Sequence, residues 1–72
     1  MKPFEDANAA VDAVNAHDGP PETLCLPLSD ALQDSMGLSM AIIVDAVLAR
    51  GWDVDGYEQR DGYRIYRYTA PS

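Results

Sequence analysis

Asp53-Val54-Asp55-Gly56, followed by Glu58 and Asp61, is the densest run of possible metal ligands in the chain. Carboxylates alternating ahead of a glycine suit calcium, a hard cation that takes oxygen ligands. An EF-hand loop needs glycine at its sixth place and a bidentate glutamate at its twelfth. Counted from Asp53, the glycine is fourth and the twelfth residue is Arg64, so the frame fails and the run reads as a solvated strand edge. His17 and Cys25 are the other reactive pair, suited to a nucleophile or a metal site. With one histidine and one cysteine in the chain, no second ligand stands at motif spacing, and they read as a helix-terminal histidine and a small buried thiol. No phosphate-cradling G-x-x-x-x-G-K-[ST], no G-x-G-x-x-G and no H-E-x-x-H is present. The many carboxylates form no recognisable catalytic frame. The expectation is a non-enzyme that needs no metal and no cofactor.

Arg60, Arg64 and Arg67 interleave with Tyr57, Tyr63, Tyr66 and Tyr68. Cations beside aromatic faces suit single-stranded nucleic acid, which is held by charge and base stacking. Asp53, Asp55, Glu58 and Asp61 nearly cancel that charge. The plainer alternative is a sheet with cross-strand ion pairs and a tyrosine face packed on a helix. The whole chain carries twelve acids against five bases, a formal net charge of −7, with a pI near 4.2. Phosphate binding needs clustered Lys and Arg, so direct nucleic-acid binding is not expected over most of this surface. Residues 1–51 hold eight acids and two bases, a net of −6, while residues 52–72 hold four acids and three bases, a net of −1. Such acidity either keeps a small protein in solution or takes part in choosing its partner.

Seventy-two residues, 47% of them hydrophobic, make one globular domain spanning 1–72. A chain of this size buries only about 60% of its unfolded surface, which leaves a small core and room for an interaction surface more readily than an enzyme pocket. Cys25 is the only cysteine, so an internal disulfide is ruled out and a thiol-permissive cytosol is expected. No apolar run approaches the ~18 residues of a membrane span. MKPFEDANAA is acidic and lacks the apolar segment of a signal peptide. The expected setting is cytoplasmic, with no membrane contact.

The elements follow from periodicity. Residues 3–17 read as a helix: Pro3 suits its first turn, Glu5 and Asp6 its positive end, and Phe4, Ala7, Val11 and Val14 form one apolar stripe. It should stop near His17, before Asp18-Gly19-Pro20-Pro21. Thr23-Leu24-Cys25-Leu26 is a short strand with Leu24 and Leu26 facing one way and Cys25 the other. A second helix opens at Pro27, or one step later on Ser29, with Ala31, Leu32 and Met36 inward. Gly37-Leu38-Ser39 reads as a helix-turn-helix corner. Gly37 closes the second helix in the left-handed region, Leu38 packs back on it, and Ser39 caps the third. In that third helix, Met40, Ile43, Val44, Val47 and Leu48 share a wide inner face, and Arg50 and Gly51 end it. The remainder is a hairpin turning at Asp61-Gly62, which pairs Arg60 with Tyr63, Gln59 with Arg64, Glu58 with Ile65 and Tyr57 with Tyr66. One face carries Trp52, Val54, Tyr63 and Ile65 as core, and the other Tyr57, Tyr66 and Tyr68. Ala70-Pro71-Ser72 is a tail.

This order resembles the winged helix-turn-helix family over most of the chain, nearest the N-terminal domain of biotin-repressor-like proteins. The residues that carry the resemblance are Gly37-Leu38-Ser39, Ile43, Val47, Trp52, Val54 and Gly62-Tyr63. It implies an α+β domain of order α-β-α-α-β-β, three helices with a C-terminal hairpin and a short third strand. In that family the outward side of the third helix reads the major groove through polar and basic side chains. Here it offers Met40, Ala41, Ile42, Asp45 and Ala46, so the fold carries over and the DNA-reading role does not. Met40, Ile42, Ala46 and Ala49 form an apolar strip in its place, which either meets a partner or is buried on both sides by the hairpin or a second copy.

The function expected is therefore that of a small acidic protein-binding module or inhibitor. Its size and charge resemble those of small phage proteins, anti-CRISPR inhibitors among them, that block a nucleic-acid-binding partner with carboxylates in place of phosphates. The residues expected at the contact are Asp30, Asp34, Met40, Ile42, Asp45, Tyr57, Arg64 and Tyr66. The alternatives are a DNA-binding regulator docking through the Arg/Tyr hairpin and a homodimerising domain.

Overall fold

Two residues, Asp61 and Gly62, turn the C-terminal hairpin, with Gly62 in the left-handed region at φ 87°. The short loop sets the register, and the pairs Arg60–Tyr63, Gln59–Arg64, Glu58–Ile65 and Tyr57–Tyr66 are all as the turn chemistry dictates. The computed structural model describes residues 2–34 and 37–71. In order they form α1 (Ala7–Ala16), a single 3-10 turn (Pro21–Thr23), β1 (Cys25–Ser29), α2 (Asp30–Gln33), α3 (Leu38–Ala49), β2 (Asp53–Arg60) and β3 (Tyr63–Thr69). The sheet is antiparallel in the order β1-β3-β2. The domain is thus α+β, with the α-β-α-α-β-β order read from the sequence.

α1 begins later than the apolar spacing suggests. Phe4 is taken up by the sheet: its N–H donates to the Pro27 carbonyl at 2.8 Å and its carbonyl accepts from Ser29 N–H at 3.0 Å. This parallel bridge to Leu28 holds the backbone extended, and Asp6 becomes the cap, accepting from Asn8 N–H at 3.2 Å. The apolar stripe still faces inward, since Val14 is buried and Phe4, Ala7 and Val11 pack against the core. His17 ends the helix as expected.

β1 runs through Pro27 rather than stopping before it. A strand tolerates proline where no N–H is required of it, and here Pro27 contributes only its carbonyl, to Phe4. Leu26 and Leu28 are fully buried on the helix side. Cys25 faces away and is exposed, correcting the expected buried thiol. Ser29 opens α2 by accepting Leu32 N–H at 3.1 Å. α2 is one turn long, with Leu32 buried and Ala31 exposed rather than inward; Met36 lies outside the described residues. Ser29→Ala removes a buried cap and should cost about 1 kcal/mol, read from the urea midpoint.

Gly37 does adopt the left-handed region, at φ 81°, but as the N-cap residue of α3. Leu38 and Ser39 are already helical, so Ser39 is not the cap and Leu38 is exposed instead of packing back. The far end of α3 follows its expected chemistry. Gly51 sits at φ 74° with its N–H on Leu48 O at 2.8 Å, while Trp52 N–H reaches Val47 O at 3.2 Å. These two bonds form a Schellman motif, and the buried Val47 and Trp52 supply its apolar contact.

The core lies between the helices and the sheet face of Leu26, Leu28 and Tyr68, closed by Ala10, Val14, Leu32, Ile43, Val47 and Trp52. On that face Tyr68 takes the place expected for Val54. Val54 pairs with Tyr68 on the edge strand and remains 49% exposed. Tyr66 also packs against this core, while Tyr57 stays exposed at the edge. Ile65 is buried on the opposite face, in register with Pro27 and Glu58. A bulge at Asp55 shifts the β2 register between Val54 and Gly56.

Burial raises the Tyr68 phenol well above its ordinary value. A group whose pKa is higher folded than unfolded lends stability below its unfolded pKa, about 10 for tyrosine, and loses it as pH climbs. Tyr68→Phe should therefore flatten the fall of the urea midpoint as pH rises above about 10.

Candidate interaction surfaces

A helix that packs on one neighbour can bury only a narrow stripe, and α3 packs chiefly on α1 and the end of α2. Ile43 and Val47 fill that stripe, flanked by Met40 and Ala46, which are half-buried and packed against the core. Met40 and Ala46 therefore leave the outward strip to which they were assigned. Their places are taken by Leu38 (72% exposed), Val44 (36%) and Leu48 (56%), beside Ile42 (48%). The expectation that Val44 and Leu48 point inward fails because, among the described residues, no element covers that side. Ala41, Asp45 and Ala49 are exposed with them. Residues 38, 42, 45 and 49 succeed each other at spacings of four, three and four, so Asp45 lies within the apolar surface. The adjoining cation, Arg50, is engaged elsewhere. It donates to the carbonyls of Val14 at 2.6 Å and His17 at 2.7 Å, and its guanidinium lies 4.3 Å from the Trp52 ring centroid. The last turn of α1 is thereby tied to the end of α3.

The second surface is an open cleft of about 350 Å³ between α2 and the hairpin, lined by Asp30, Gln33, Asp34, Gln59 and Arg64. Gln33 donates to Leu28 O at 2.9 Å and accepts from the Tyr66 hydroxyl at 3.1 Å, fixing the floor. Arg64 Nε donates to Gln59 Oε1 at 2.8 Å, and its guanidinium sits 4.6 Å from the Tyr57 ring centroid. Tyr57 and Tyr66 lean together at 5.5 Å and 44°, the cross-strand pair expected from the register. The Tyr66 hydroxyl, and after it the fields of Tyr57 and Asp30, holds the Arg64 pKa above its ordinary value. Arginine is protonated throughout the working pH range in any case, so the guanidinium is a fixed charge.

The eight expected contact residues therefore sort into three places. Asp30, Asp34 and Arg64 line the cleft, with Tyr57 against the Arg64 guanidinium and Tyr66 bonded to Gln33 beside it. Ile42 and Asp45 lie on the open side of α3, and Met40 faces its core. Gln33 and Gln59 had no signal in the sequence. Leu38, Val44 and Leu48 were visible as apolar residues, but a helix apolar all round hides which side is free. The hairpin's other two arginines are paired, Arg60 with Glu58 at 2.9 Å and Arg67 with Glu58 at 3.6 Å. Among the described residues, no cluster of His, Cys, Asp or Glu is set to hold a metal ion, and no helix is long and apolar enough to cross a membrane. No protein-family model matches the chain, and no curated protein or solved structure matches it either.

Proposed function

We propose that this chain is a non-catalytic, cytoplasmic protein-binding module on a winged-helix scaffold, working as an inhibitor of a nucleic-acid-binding partner in the manner of anti-CRISPR proteins. The observation that carries the reading is the open side of α3, where Leu38, Ile42 and Leu48 stand exposed at the position a DNA reader would fill with polar and basic groups. The pairing of β1 with β3 and of β3 with β2 supports the scaffold. The engagement of Arg60, Arg64 and Arg67 by Glu58 and Gln59 disfavours DNA docking through the hairpin. The net charge of −7 steers the chain toward a basic partner.

A low-salt titration with duplex DNA, followed through Trp52 fluorescence, should show no saturable change. Saturable binding that weakens steeply with salt would replace the reading with a DNA-binding regulator. For phosphate mimicry, charge reversal of Asp30, Asp34 and Asp45 to Lys should abolish the chain's ability to displace nucleic acid from its partner. Displacement that survives the reversal removes the mimicry.

A further inference from the structure

We infer that the open side of α3 docks a short basic amphipathic helix of the partner, with a Lys or Arg of that helix on Asp45. The inference rests on the protein-binding reading and names the partner's chemistry. Its first support is charge. Asp45 is the only charged residue on α3, it is exposed among Leu38, Ala41, Ile42, Leu48 and Ala49, and Arg50 is held by α1 carbonyls and the Trp52 ring. A carboxylate lying in an apolar strip loses solvent when that strip is covered, so the covering surface must bring a cation. A second copy of this chain fits poorly. Self-pairing through this helix would bring two strips that each hold one carboxylate and no free cation into contact, on chains of net charge −7.

The second support is size. α3 has twelve residues, which span ~18 Å, and an exposed strip ~10 Å wide gives a footprint of only ~200 Å². A stable interface between globular partners buries about 800 Å² on each side. The strip is too small to hold two globular chains together and about right for one helical segment lying along it, with apolar anchors at helical spacing.

The probe is an amphipathic helical peptide of about 14 residues, long enough to cover the strip, in a Leu/Lys and a Leu/Glu version. Each is titrated into the isotope-labelled chain and followed by backbone amide NMR. The Leu/Lys peptide should shift the signals of Leu38, Ala41, Ile42, Asp45 and Leu48, and the Leu/Glu peptide should not. Asp45→Lys should weaken the Leu/Lys peptide about tenfold, and Ile42→Ser should weaken it as well, both variants keeping the wild-type urea midpoint. Equal binding of both peptides overturns the inference by showing unselective apolar adhesion. Shifts confined to the Asp30–Asp34 cleft or to the β2 carboxylates overturn it by placing the charge contact elsewhere. A concentration-dependent dimer in sedimentation that excludes the peptide assigns the strip to a second copy and also overturns it. If neither peptide binds while a photo-crosslinker at position 42 still captures a host protein, the basic helix is wrong and the protein-binding reading stands.

Discussion

Ile43→Ala should cost the domain about 2–5 kcal/mol, whereas Ile42→Ala, one residue earlier, should change stability by no more than about 0.5 kcal/mol. Ile43 is 1% exposed and sits in the cluster with Val14, Leu26 and Val47. Removing its outer carbons gives up transfer energy and leaves a cavity that the surrounding helices and strands cannot fully close. Domains are stable by only about 5–15 kcal/mol, with small ones at the low end, so this single truncation brings the fold near its limit. Ile42 is exposed across just under half its surface, and alanine is the better helix former, which offsets the little packing lost. On the proposed function, Ile42→Ala should instead weaken partner binding about tenfold or more. Urea denaturation of the two variants, beside partner capture, separates the roles of adjacent isoleucines.

Trp52→Ala should be the other large loss, about 3–5 kcal/mol. The indole stacks on Tyr68 at 6.4 Å and 29°, meets the His17 ring edge-on at 6.0 Å, and carries the Arg50 guanidinium 4.3 Å above it. It also provides the apolar half of the Schellman motif that ends α3. Removing it opens the junction of α1, α3 and the sheet at once. Trp52→Phe keeps a ring against Tyr68 and should lose less. Arg50→Ala alone takes the guanidinium from the Val14 and His17 carbonyls, leaving Val14 O with the His17 N–H, and the double variant should cost less than the two single losses added, by the cation–π share of about 0.5–1 kcal/mol. Circular dichroism in urea reads all four, since tryptophan fluorescence is gone from three of them.

The parts of the fold legible in the sequence are those fixed by local chemistry. Asp61-Gly62 admits one tight hairpin, and the register followed from it. Ser29 and Gly51 act as the cap and the stop that their types suggest. Where long-range contacts decide, local spacing is silent or misleading. Phe4 has helical spacing to Ala7 and Val11 but spends its backbone bonds on β1. Tyr68 and Val54 are paired on one sheet face but differ in burial because Tyr68 lies on the central strand and Val54 on the edge strand. The candidate site was half visible for the same reason. Asp30, Asp34 and Arg64 gather at one cleft only through the β1–β3 pairing, which places Leu28 opposite Arg64. The apolar character of α3 was plain, but its free side depends on α1 covering the other.

That free side is the centre of the account, and a photoreactive phenylalanine placed at position 42 tests it most directly. The control is the same group at Asn8, exposed on α1, with irradiation in native host extract containing added duplex DNA. The expected result is a protein adduct from position 42 that is absent from position 8 and lost when Asp45→Lys is added. Equal adducts from the two positions, or an adduct of position 42 with DNA, would contradict it.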